Sequence, residues 1–255
     1  MNDGTDQECP DWKKWRTFFA ERSCRLLPDP FADEPQLASV PKSLRRSLAI
    51  FQLGESGGGT IIAQARKSGI AGIDDVYADA VALFVEEEHH HGELLACGVR
   101  MLGGELIRKN WTARLFVIGR RLMGFRFKVL VLLAAEVIGI CYYHLLASRL
   151  PPSQLKNLLE SMVADELAHL DFHCCFFRTQ TTSRWRLTVF RIAWRTLTRV
   201  AAVAVLLDHR RALRDLHISA GTVWRRWMSV SRHAETLVSG VLPEVNPESS
   251  VVSSR

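Results

Sequence analysis

The sequence predicts an all-α protein whose centre is a four-helix bundle holding two metal ions. Three observations carry this. Apolar residues recur at helical spacing over several long segments, with Pro and Gly marking the breaks between them. Four glutamates and two histidines fall on four of those segments in the order single, pair, single, pair: Glu55, then Glu88 with His91, then Glu136, then Glu166 with His169. Residues three apart share a helix face, so each Glu-x-x-His aims a carboxylate and an imidazole at one point, and bundles build two-metal sites from this set. The third observation is level. Glu55 precedes the turn near residue 70 by 15 residues and Glu88 follows it by 18, while Glu136 precedes Pro151 by 15 and Glu166 follows it by 15. Helices joined by a short turn run antiparallel, so each hairpin brings its acids to one height, roughly 22 to 27 Å from the turn at about 1.5 Å per residue.

Along the chain, residues 11–27 read as a short amphipathic helix through Trp12, Trp15, Phe18, Phe19 and Leu26. Pro28, Pro30, Pro35 and Pro41 make the next stretch an extended connection. The first bundle helix is expected over 42–65, with Leu44, Leu48, Phe51, Glu55 and Ile62 inward. Gly57-Gly58-Gly59 falls inside it and reads either as a thin-walled helix beside the metal site or as a local break. No strand precedes these glycines and no Lys-Ser/Thr follows at the required spacing, which excludes a phosphate-binding P-loop. The second helix runs from residue 73 or 74 to about 101, with Asp74 as its cap. Within Glu86-Glu87-Glu88-His89-His90-His91 two pairs compete. Glu88/His91 shares a face with Val81, Phe84, Leu95 and Val99, and Glu87/His90 shares a less bulky one; the first is preferred. Residues 103–124 form a long crossover with a short helix at 112–122. The third helix covers 125–147. The fourth follows Pro151-Pro152, with Ser153 as cap, and reaches about residue 178.

The stretch Val129 to Ser148 has no Lys or Arg and the length of a membrane span. Glu136 near its centre opposes that reading, since a central carboxylate costs about 2.5 to 3.5 kcal/mol on insertion scales. A fully buried bundle helix accounts for both the apolar run and the acid, which is expensive to bury unless paired or metal-bound.

Two further helices are expected over 184–215 and 222–237. Residues 183–236 hold eleven Arg, no Lys and three acids, so this block carries +8 where the whole chain carries +6. Trp185, Trp194, Trp224 and Trp227 interleave with the Arg. The domain plan is therefore 1–41 (helix and Pro-rich connection), 42–180 (di-metal bundle), 181–238 (basic helical cap, with an apolar side that packs on the bundle and an Arg side that can touch anionic surfaces) and 239–255 (a Ser-rich disordered tail).

The chain has 255 residues and is 47% hydrophobic, enough for a sizeable core. Its six Cys form no Cys-x-x-Cys pair, which argues against a zinc ribbon or disulfide framework and for a reducing cytosol. The polar N-terminus lacks the apolar stretch of a signal peptide.

Residues 87–95, Glu-Glu-His-His-His-Gly-Glu-Leu-Leu, resemble the second-helix motif Glu-Glu-x-x-His-Gly-x-Leu-Leu of soluble acyl-carrier-protein desaturases. Residues 165–169, Asp-Glu-Leu-Ala-His, resemble the fourth-helix motif Asp-Glu-x-x-His of those enzymes and of ribonucleotide reductase small subunits. Over about residues 42–178 the chain thus resembles the ferritin-like di-iron carboxylate superfamily. The resemblance favours Glu88 with His91, and it implies that Asp165 accepts a hydrogen bond from a ligand histidine, His91 being the candidate. It implies two Fe ions, with Mn the alternative, held by Glu55, Glu88, His91, Glu136, Glu166 and His169. Such a pair would reduce O2 in the service of an O2-dependent oxidoreductase (hydroxylase, desaturase or oxidase) acting on a small apolar substrate. No dinucleotide fingerprint or rubredoxin-like Cys pair is present, so turnover would draw on a separate electron donor. A homodimer is compatible with the sequence. Two other readings stay open: a ferroxidase or peroxide-scavenging iron-handling protein, and a non-catalytic helical module that binds membrane or nucleic acid through the Arg/Trp block.

Overall fold

In the computed structural model, residues 10–23, 40–56, 60–122 and 124–240 are described. Among them the chain is all-helical: α1 (Trp12–Ser23), α2 (Lys42–Glu55), α3 (Thr60–Lys67), α4 (Asp75–Met101), α5 (Trp111–Leu122), α6 (Phe125–Ala147), α7 (Gln154–Gln180), α8 (Arg184–Asp215) and α9 (Ala220–Ser239). The Pro-rich connection, the three consecutive glycines and the Ser-rich tail lie outside the described residues.

The helix starts follow from the local chemistry. Asp74 accepts from the Tyr77 N–H at 2.9 Å, and Ser153 accepts from the Lys156 N–H at 3.2 Å. Ser183 and Ser219 do the same for α8 and α9. Each satisfies an N–H that the first helical turn leaves without a partner. Gly240 ends α9 with φ 68°, the left-handed conformation that glycine adopts without a Cβ clash. The segment expected as one helix over 42–65 is two. α2 ends at Glu55 and α3 begins at Thr60, which leaves Glu55 at a helix end; the expected thin-walled helix or local break at Gly57-Gly58-Gly59 lies outside the described residues.

α2 and α3 pack on α4, α6 packs on α7, and the two groups meet where α4 touches α7 and α3 touches α6. α1 lies on α4. α6 is long and apolar enough to cross a membrane, yet most of it is buried inside the protein, as the sequence reading of a core helix requires. α9 packs on both α6 and α7, and α8 packs on α9, α6, α2 and α5. The basic block therefore places its apolar side, including Trp194, Val223 and Trp227, in the common core. Side chains of this size stabilise by about 1.5 to 3 kcal/mol each when fully buried.

An aromatic wedge sets the position of α1. Trp12, Trp15 and Phe19 meet Phe172 of α7, and Trp12 and Phe19 also reach Tyr77 and Phe84 of α4. The Trp12 indole N–H donates to the Gly72 carbonyl at 2.9 Å. Ring pairs of this kind add roughly 0.5 to 1.5 kcal/mol beyond their burial. The helix is thereby clamped over the α4–α7 contact, and it brings Arg22 with it.

Candidate metal centre

The centre is built where α4 crosses α7. Glu88, His91, Glu166 and His169 each offer a ligand atom, and these atoms lie within 4.8 Å of one another. His169 Nδ1 is 2.8 Å from Glu88 Oε1 and 3.6 Å from Glu166 Oε2, and His91 Nδ1 is 3.4 Å from Glu166 Oε1. Glu136 of α6 joins the group, with Oε2 at 3.7 Å from His169 Nδ1. Glu55, at the end of α2, completes it. Tyr143 donates to Glu55 Oε1 at 2.6 Å, and the charges that act on Glu55 are those of Glu88 and Glu166. All six residues singled out from the sequence are thus brought to one place. Two glycines make the approach close enough. A Cβ on Gly92 would stand 3.5 Å from the Glu55 Cβ, and one on Gly139 would stand 3.4 Å from the Glu166 carboxyl carbon.

Behind each imidazole stands a carboxylate from the other helix. His91 Nε2 is 3.2 Å from Asp165 Oδ2, and His169 Nε2 is 3.0 Å from Glu87 Oε2. Each carboxylate sits one residue before a cluster glutamate, so the helices exchange equivalent contacts: Glu87-Glu88…His91 on α4 and Asp165-Glu166…His169 on α7. Arg22 of α1 ties the two sides together, donating from Nε to Glu87 Oε1 at 2.6 Å and pairing with Asp165. An Nε2–H held by a carboxylate fixes the ring orientation and turns Nδ1 toward the cluster.

His91 is buried, whereas His90 is half-exposed and lies 3.9 Å from Glu93. Glu87, which competed with Glu88 in the sequence, is the acid behind His169. Arg22, Tyr143 and His173 also reach the cluster, and none of them belongs to the Glu and Glu-x-x-His pattern of the sequence. His173, fully buried, points Nε2 at Glu136 Oε1 from 3.3 Å. A signal for it existed, since it lies one helical turn beyond His169 on α7. For Arg22 and Tyr143 no local pattern exists, because both act across the fold.

Burial and mutual repulsion decide the protonation of this group. Burial, reinforced by the charges of Glu88 and Glu166, pushes both Glu55 and Glu136 well above the carboxylate value of 4.5. Burial acts in the same sense on Glu166, but contacts with Glu136, His169 and His91 outweigh it and hold Glu166 below that value. Burial opposes charge on His169, yet the surrounding Glu136, Glu166, Glu87 and Glu88 raise it well above 6.5. Glu87 is held down to about 2, because the bonds from His169 and Arg22 overcome its burial. His173 is depressed to about 3 by burial and by the charge of His169, so it is a neutral imidazole at ordinary pH.

The donor set fits a hard, oxygen-preferring cation. Four atoms test the fit: Glu88 Oε1, His91 Nδ1, Glu166 Oε1 and His169 Nδ1 are all buried and close together, yet none has hydrogen-bond geometry to a partner. Buried polar atoms are rarely left so, and this group, facing one another, could hold a metal ion. Comparison with family models, with curated proteins and with solved structures finds no match. The chemistry of the site therefore rests on its own residues.

A cavity of about 1020 Å³ adjoins the cluster. Glu55, Glu88, Glu136 and Glu166 line it at one end, with Phe84, Val131 and Ile138 beside them. Ala135, next to Glu136 in the middle of α6, is exposed because it faces this opening.

Proposed function

We propose that this chain is a ferritin-like di-iron carboxylate protein, and that it is an O2-dependent oxidoreductase acting on a largely apolar molecule. The observation that carries the reading is the set of four buried, partnerless ligand atoms, each imidazole backed by a carboxylate and both carboxylates held by Arg22. Glu88, His91, Glu166 and His169 would hold the metal pair with Glu55 and Glu136. Two iron ions would supply the redox capacity needed to reduce dioxygen, and manganese is the alternative ion.

The protein's own residues do the rest. Asp165 and Glu87 keep the Nε2 protons, so that the Nδ1 atoms serve as donors. Without a cation the raised Glu55 and Glu136 hold protons, which metal binding must displace. Phe19 and Phe84 cover the His169 ring and keep water from that side. The cavity favours the oxidoreductase reading over simple iron handling, because it gives an organic molecule a place against the carboxylates. An electron donor would be a separate protein.

The test is anaerobic loading with Fe(II), followed by metal analysis and exposure to O2. Two ions per chain and an optical change on oxygenation are expected. A chain that holds no ion, or whose ion does not respond to O2, overturns the reading.

A further inference from the structure

The cavity changes character along its length. Four glutamates and apolar side chains line its inner end, the buried Lys128 also lines it, and its rim carries Arg108, Lys109, Arg114 and Trp111, all exposed. The cluster of exposed cations at the rim is the part of the lining that most favours an anionic group. An amphiphile with an acidic head would therefore bind with its apolar body inward and its head among these cations.

The surface outside that rim is unusual in the same way. Trp111, Leu115 and Ile118 follow one face of α5 at helical spacing, and Trp111 and Leu115 are 47% and 52% exposed. On α8, Val200, Val203 and Leu207 form a second stripe, with Val200 63% and Leu207 54% exposed. The stripes adjoin: α5 packs on α8, and the Trp111 indole donates to Asp208 Oδ1 at 3.1 Å, beside Leu207. Exposed Arg199, Arg210 and Arg214 lie around the α8 stripe. Contiguous exposed apolar surface marks an interaction site. Apolar residues with a Trp, rimmed by cations, match the boundary of an anionic bilayer, where apolar groups enter the acyl region and Arg meets phosphate.

We propose that α5 and the C-terminal half of α8 dock this protein on an anionic lipid bilayer, and that the cavity they border takes an acid-headed amphiphile out of that bilayer. Docking and binding are independent of any metal. That this amphiphile is the substrate rests on the oxidoreductase reading above.

The experiment uses the full, metal-free chain. It is sedimented with phosphatidylcholine vesicles, with and without phosphatidylglycerol, at low and physiological salt. Binding is expected only with phosphatidylglycerol, falling as salt rises. Leu115→Ser combined with Leu207→Ser should weaken it about tenfold, at unchanged helix content. A fluorescent long-chain carboxylate and its methyl ester are then titrated in the absence of vesicles. The carboxylate should bind more tightly, Arg114→Glu should remove that preference, and Ala135→Trp should weaken both ligands about tenfold by filling the cavity. Equal affinity for acid and ester, or an indifferent Ala135→Trp variant, overturns the ligand assignment. Absence of vesicle binding at every salt concentration overturns the docking, as does binding untouched by the Leu115/Leu207 change. A dimer, or a nucleic-acid complex, abolished by that same change would give the face to another partner and overturn the docking too. Iron content is measured in parallel. A chain that docks and binds the carboxylate but holds no iron breaks the di-iron reading and leaves this inference standing.

Discussion

α7 and α8 are neighbours in sequence, and each breaks a different rule of burial. α7 buries Glu166, His169 and His173 in the protein's interior, where ionisable groups are costly. α8 leaves Ile192, Val200 and Leu207 in water, where apolar groups are unfavourable. Both are long and begin with a serine cap, and neither exception is visible in composition. The difference teaches where the missing partner of each helix should be sought. A buried crowd of partnerless donors and acceptors could be satisfied by an ion inside the fold. A partnerless apolar stripe asks for a surface outside it.

The largest effect should come from removing the buried acids that α6 and α7 bring to the cluster. Glu136→Ala and Glu166→Ala should each reduce iron occupancy from the proposed two ions toward one or none, read by metal analysis after anaerobic loading. Unchanged stoichiometry in both would reduce the cluster to a buried salt-bridge network. Glu136→Gln should also raise the melting temperature of the metal-free protein at neutral pH by a few degrees, because it removes a carboxyl that burial disfavours.

Next in size is the choice between adjacent histidines. His91→Ala should lose metal or oxygen reactivity, while His90→Ala keeps most of both. The reverse result would move the site to the Glu87/His90 face.

The braces behind the imidazoles come third. Asp165→Asn, Glu87→Gln and Arg22→Met should each keep the fold and weaken metal affinity by about 10- to 100-fold, the usual range for groups that orient a ligand. Competition against a chelator measures this. Parent-like affinity in all three would leave Arg22 as no more than a clamp for α1.

pH sharpens the same point. Glu55 and Glu136 are held above 4.5 and His169 above 6.5, so protons would compete with the proposed cation. Loading should weaken as pH falls from about 8 to about 5. In the metal-free protein Glu55, Glu136 and His169 should act the other way, while the depressed His173 and His209 oppose them, since their contribution is lost as pH falls below 6.5. Carboxyls raised on folding favour the folded state at low pH, and their contribution is lost as pH climbs above 4.5. The raised His169 likewise stabilises below its unfolded value, and that contribution fades as pH rises through its folded value. Melting curves with and without iron across this window would show whether the two trends diverge.

The smallest effect belongs to α8. Arg195 donates to both Glu235 oxygens, at 2.8 and 2.6 Å, but its own side chain is more than half exposed. Arg195→Ala should cost less than about 1 kcal/mol in thermal unfolding. A larger loss would mean that the α8–α9 pair is held by charge more than by its buried tryptophans.

The sequence by itself determined the helices and the cluster. α6 spans the expected 125–147 because a largely apolar stretch, free of Gly-Gly and Pro breaks between Gly124 and the Pro151-Pro152 turn, leaves the backbone little choice. Glu88 with His91 and Glu166 with His169 were legible because helical spacing is a local property, and matched distances from two turns carried that local information to a common level. Asp165 behind His91 came from the resemblance of its motif. The tertiary structure alone decided what stands around them. Arg22 reaches Glu87 and Asp165 across 65 and more residues, Tyr143 reaches Glu55 across 88, and no periodicity encodes such a contact. The end of α2 at Glu55 was readable only as one of two options, since glycines in a helix interior are unfavourable but tolerated. The same holds for α8. Its sequence shows an apolar face and many Arg, but which apolar residues stay in water depends on where α6 and α9 happen to cover it, and burial is decided by neighbours distant in the chain.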